Sequence, residues 1–169
     1  MVVKSYDRPK LDIPKTGLER IMDWAAILLF AAGTGYLIWI WGDLPAEVPA
    51  HFNGAGEVDR WGSKWELVML PIIAGLLWIG MTVLEKYPEK HNYMAELNER
   101  NIEFQYRNSR MMLNVLKNLV VLVFIYLSYL STQVALGEED SLGIGFLPFF
   151  LVLMFAPMII FMIRSLRHR

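Results

Sequence analysis

A chain of 169 residues with 55% hydrophobic residues and a mean hydropathy of +0.35 is too apolar for an ordinary soluble domain, whose apolar share is about 45–50%. It has no cysteine, which excludes disulfides and thiolate metal sites. The formal net charge of −1 conceals a strong sorting of charges along the chain, and no nucleic-acid partner is expected.

Four windows lack Asp, Glu, Lys, Arg and His: Trp24–Gly42, Leu67–Leu84, Asn118–Gly137 and Ser141–Ile163. Each is near the roughly 20 residues that a helix needs to cross a hydrocarbon core. None shows the polar face of a soluble bundle helix. The expected fold class is an all-α polytopic membrane protein: four transmembrane helices with a motif-bearing extracytoplasmic loop, and the lipid bilayer as principal partner.

In chain order, residues 1–15 form a polar cytoplasmic tail containing Pro9 and Pro14. The motif domain covers 16–84, with spans at about 21–42 and 65–84 and an outer loop at 43–64. "TGLE" reads as a capping box, Thr16 with Glu19, that opens a helix running to about Trp41. This span is longer than a signal-peptide core and is expected to remain as an anchor. Ala31 and Gly35 form a small-xxx-small pair suited to close helix approach. "SKWE" reads as a second capping box, placing a helix start at Ser63, and Pro71 is expected to kink the helix that follows.

The connection 85–117 is expected to be a cytoplasmic helix from about Asn92 that runs into the third span, with apolar positions at Tyr93, Met94, Leu97, Phe104, Met111 and Met112. Its face over Asn92–Arg110 is a candidate docking surface for a cytoplasmic regulator. Lys117, at the inner boundary, is expected to snorkel toward the headgroups. The third and fourth spans cover about 118–137 and 142–163 within segment 118–169. Pro148 and Pro157 are expected to bend the last span, and the basic tail "RSLRHR" favours anionic lipid. No span carries an ionisable residue near mid-membrane, which weighs against coupled transport.

Lysine and arginine orient the bundle. Fourteen of the sixteen lie in the head (Lys4, Arg8, Lys10, Lys15, Arg20), the central connection and the tail, against Arg60 and Lys64 in the first outer loop. The positive-inside tendency therefore puts both termini in the cytoplasm and His51 outside. Tyr36, Trp39, Trp41, Trp61, Trp65, Tyr126 and Tyr129 mark the outer interface, and Trp24 and Tyr87 the inner one.

The outer loop reads "LPAEVPAHFNGAGEVDRWGSK" over Leu44–Lys64. Pro45 and Pro49 hold the chain extended, Asn53-Gly54 signals a turn with positive φ, and Gly56 offers a second such position. Asp59 has Lys64 or Arg60 as ion-pair candidates, and His51 has Asp59 or Glu57. Phe52, Val58 and Trp61 are expected to pack toward the membrane surface or the outer ends of the last two spans. A His51/Glu57/Asp59 set offers few ligands for a metal, and Ser63 with His51 and Asp59 lacks an oxyanion hole. No enzyme, metal or cofactor is expected.

The loop resembles the signature of a bacterial membrane domain family of unknown function, L-P-x-x-[IV]-P-x-H-F-N-x-x-G-x-x-D-x-W-G-S-K, which also occurs in SdpI-type immunity and signalling membrane proteins. The resemblance covers Leu44–Lys64 and loosely the flanking spans. By resemblance, Pro49, His51, Phe52, Asn53, Gly56, Asp59, Trp61, Gly62 and Lys64 are the motif positions, with a ligand-binding or structural role. The implied function is a sensing, binding or immunity-like module for an extracytoplasmic peptide or envelope ligand in the bacterial inner membrane. The alternative is an accessory subunit whose loop is a stabilising cap.

Overall fold

The computed structural model describes residues 8–169; the first seven residues of the expected tail, Lys4 among them, lie outside the described residues. The elements run α1 (Gly17–Ile40), β1 (Glu47–Phe52), β2 (Val58–Ser63), α2 (Glu66–Leu84), α3 (Ile102–Ala135) and α4 (Phe146–Arg167), with a 3-10 turn at Pro88–Lys90. All four helices are long and apolar enough to cross a membrane. The four-span architecture is present, with a two-stranded antiparallel hairpin added between α1 and α2.

The capping box at the start of α1 forms as its sequence dictates. The Thr16 amide donates to the Glu19 carboxylate (2.7 Å), and the Glu19 amide donates to Thr16 Oγ1 (3.2 Å). The second capping box does not form. Ser63 ends β2, α2 starts at Glu66 with no side-chain cap, and the Glu66 carboxylate is engaged by Arg60.

Helix α3, 34 residues and about 50 Å long, is the hub. The inward stripe of α1 follows helical spacing, through Ala26, Gly33, Leu37 and Ile40, seven, four and three residues apart. Ala26 meets Val121 and Ile125 of α3, with Phe30 and Trp78 packed around them. Gly33, not the expected Ala31 and Gly35, makes the close approach. A Cβ at Gly33 would overlap the Ile125 side chain, whereas one at Gly35 would meet nothing within 4 Å. Helix α4 packs against α3 and leaves Phe149, Val152, Phe155 and Ile160 exposed, as a lipid-facing helix must.

Contacts near the helix ends fix directions. Glu19 meets Arg110 in the early turns of α3, Gln105 bonds Ser165 near the end of α4, and Leu142 just before α4 bonds Gly56 in the hairpin. The start of α1 and the end of α4 thus share one end of the bundle, the terminal end, and the hairpin occupies the other. Trp41 and Trp65 meet at the hairpin end (5.0 Å between ring centroids), as do Tyr36 and Tyr129 (5.5 Å).

Residues 91–101 are not the expected helix. Asn98 Oδ1 accepts from the amides of Arg100 and Asn101, while Asn101 Oδ1 accepts from the Asn98 amide. These local bonds compete with helix and delay its start to Ile102. The segment folds as a plug, in which Tyr93 and Leu97 join Leu11, Ile13, Ile102 and Tyr106. Burial pushes the Tyr93 phenol well above its ordinary pKa. Much of the expected docking face is thereby covered, since Leu97, Ile102, Gln105, Tyr106, Asn108 and Arg110 are all buried.

Candidate functional site at the hairpin end

The hairpin pairs Glu47 with Ser63, Val48 with Gly62, Pro49 with Trp61, His51 with Arg60 and Phe52 with Val58. The register shifts on both sides of His51. Such bulges re-aim side chains, and here the His51 and Asp59 side chains meet, Nδ1 to Oδ1 at 2.6 Å, with both largely exposed. The second ring nitrogen of His51 makes no hydrogen bond among the described residues.

Asn53 organises the turn. Its Oδ1 accepts from the amides of Ala55 and Glu57, and its own amide donates to the Glu57 carbonyl. Its side-chain amide donates to the Glu57 carboxylate at 3.0 Å, so Glu57 bonds into the turn and not to His51. Positive φ falls at Gly56 (82°) and not at Gly54. A Cβ at Gly56 would lie 2.6 Å from the Gly143 carbonyl oxygen, so only glycine permits this crossing, which the Leu142 amide closes by donating to the Gly56 carbonyl (2.8 Å).

Pro49, Gly62 and Lys64 make contacts within the fold. Pro49 is buried, and Gly62 leaves room for the Glu66 carboxylate and the Ala50 methyl. Lys64 Nζ donates to the Trp41 carbonyl (3.2 Å) and lies over the Trp41 ring. Arg60 and Lys64 are therefore not partners of Asp59. Arg60 forks onto Glu66 (2.8 and 3.2 Å) and donates to the Ala50 carbonyl, which holds the hairpin on the start of α2. The bond from Glu66 raises the Arg60 pKa further. Trp61 stays exposed.

Between the hairpin and helices α2–α4 lies a groove of about 440 Å³. Its walls are largely apolar, including Leu67, Leu70, Leu127, Phe146 and Leu147, with Phe52, His51, Asn53, Glu66 and Ser131 also lining it. An apolar cleft with a few convergent polar groups is the usual form of a small-ligand or peptide site.

The sequence reading missed a second constellation at the terminal end. Lys117 does not snorkel; its side chain is fully buried, and Nζ lies 2.9 Å from Glu85 Oε1, 3.0 Å from Asp23 Oδ1 and 3.0 Å from Thr82 Oγ1. It also sits over the Trp78 ring. Lys15 closes the group from the other side, 2.6 Å from both Asp23 and Glu85. Burial opposes the charge on Lys15, but its bonds to Asp23 and Glu85 outweigh that, and its pKa is raised. Asn114 donates to both carboxylates and Asn118 to Asp23. Nearby, Arg110 forks onto Glu19 and donates to the Pro14 and Ile13 carbonyls. A signal for the quartet existed: Asp23, Glu85 and Lys117, of opposite signs, each directly adjoin an apolar window at the same end.

Residues 28–75 match the family model described as "Domain of unknown function (DUF1648)". A protein from Archaeoglobus fulgidus described as "Uncharacterized protein" is 35% identical over 72 residues, covering 35% of this chain. The match spans 39% of that relative, about two fifths of its length. No solved structure matches. In the segment comprising the second half of α1, the hairpin and the first half of α2, this four-helix chain is thus similar to a domain family of unknown function.

Proposed function

We infer that this integral membrane protein is a binding or sensing module that recognises an extracytoplasmic peptide or envelope ligand at the hairpin groove. The observation that carries this reading is the 440 Å³ cleft with the exposed His51–Asp59 pair at its side. Asn53, Gly56, Gly62 and Lys64 build the hairpin, whereas His51 retains a free ring nitrogen that the fold does not use. The walls suit an apolar or amphipathic ligand, and the reading is of binding, not catalysis. The charge sorting supports termini in the cytoplasm and the groove outside. The resemblance to SdpI-type proteins supports an immunity-like or signalling role.

The test compares wild type with His51→Ala for membrane abundance, and then for protection of cells against secreted antibacterial peptides. Equal abundance with lost protection supports recognition. Equal abundance with equal protection sinks it.

A second reading, an accessory subunit with a purely stabilising cap, is favoured by the Arg60–Glu66 clamp and the Gly56–Leu142 bond, which fasten the hairpin to its neighbours. On that reading, His51→Ala and Asp59→Ala lower abundance and melting temperature together.

A further inference from the structure

At the terminal end, remote from the groove, a pocket of about 390 Å³ opens between the N-terminal segment, α1, α3 and α4. Four cations line it, Lys15, Arg107, Arg110 and Arg164, against one anion, Glu19. Two of the four are spent: Arg110 on Glu19 and Lys15 on Asp23 and Glu85. Arg107 has only a solvent-exposed pair with Glu103, of the kind worth little. Arg164 forms no ion pair among the described residues and lies over the Phe161 ring. Asn108, 6% exposed, also lines the pocket, and its Nδ2 donates to the Phe161 carbonyl (2.8 Å).

We propose that this pocket binds the headgroup of an anionic phospholipid, with the Arg107 and Arg164 guanidinia taking the phosphodiester. Guanidinium forks match phosphate oxygens in geometry and charge. Depth selects a lipid over a soluble phosphate. Arg164 directly follows the 23-residue apolar window Ser141–Ile163, so the pocket sits where a bilayer places its phosphates. Phe104 and Met111 supply apolar wall for the glycerol backbone. The proposal is independent of what the hairpin groove binds.

The full-length protein in a neutral detergent is titrated with short-chain phosphatidylglycerol, short-chain phosphatidylcholine or inorganic phosphate while its melting temperature is followed. Phosphatidylglycerol is expected to raise the melting temperature saturably, and the other two to leave it nearly unchanged. In R107Q/R164Q the half-saturating concentration is expected to rise roughly tenfold or more. R167Q/R169Q, which removes the same charge outside the pocket, is expected to bind as wild type does. Equal responses to the two lipids overturn the proposal, as does a response to inorganic phosphate alone. Equal weakening in both double variants likewise overturns it, because diffuse surface charge then accounts for binding. The lipid selectivity of the wild type stands as a test even if a variant fails to fold.

Discussion

Lys117 on α3 places its ammonium 2.9 Å from the Glu85 carboxylate at the end of α2, with no part of its side chain exposed. Asp23 of α1 completes the contact, so three helices meet on one buried cation. Removing one member of such a group strands the others without compensation. Lys117→Met is therefore expected to destabilise the protein by about 3–5 kcal/mol. Denaturant unfolding in detergent measures this, and a loss below about 1 kcal/mol would contradict the arrangement.

Gly33 and Gly35 offer a matched comparison on one helix. Gly33→Ala pushes a methyl into Ile125 and is expected to cost about 1–3 kcal/mol through overpacking. Gly35→Ala meets open space and is expected to be neutral, or stabilising by up to about 1 kcal/mol. The two melting temperatures, measured side by side, decide the helix contact.

The hairpin turn gives a second pair. Gly56→Ala requires an alanine at φ 82° against the Gly143 backbone, and about 1–3 kcal/mol of stability is expected to be lost. Gly54→Ala has negative φ and ordinary contact with Leu147, and should stay within about 0.5 kcal/mol of wild type. A reversed ranking in thermal unfolding would refute the turn geometry.

Orientation is directly accessible because the chain has no cysteine. Glu57→Cys in the turn is expected to react with an impermeant maleimide on intact cells, and Arg167→Cys only after permeabilisation. The opposite labelling pattern places the groove in the cytoplasm and removes the extracytoplasmic ligand.

The spans were legible because lipid forces whole runs of residues to be apolar, a signal summed over some twenty positions. The α1 cap was legible because Thr16 and Glu19 act within one turn. The same reasoning failed at Ser63, where Arg60, three residues earlier on the same strand, claims Glu66. It failed at Asn92 too, where the reciprocal Asn98–Asn101 bonds outbid an apolar stripe of helical spacing. The His51–Asp59 pair was among the weighed alternatives, but selecting it over Glu57 needed the bulge, which no residue type announces. Lys117 was misread because a single charge at a boundary looks the same whether it reaches outward to headgroups or inward to carboxylates on other helices.

The groove at the hairpin end is assembled from two parts of the chain. One wall, Pro49–Asn53 with Glu66–Leu70, lies inside the segment shared with the domain family, while Leu127, Ser131, Phe146 and Leu147 lie outside it. A glycine-on-glycine crossing fastens the two halves through backbone atoms alone, making little demand on side chains nearby. Leu142 and Gly143 lie outside that segment too, so chains that keep the hairpin but carry different later helices would present a differently shaped cleft and keep the clasp only where the backbone before the last helix makes the same approach.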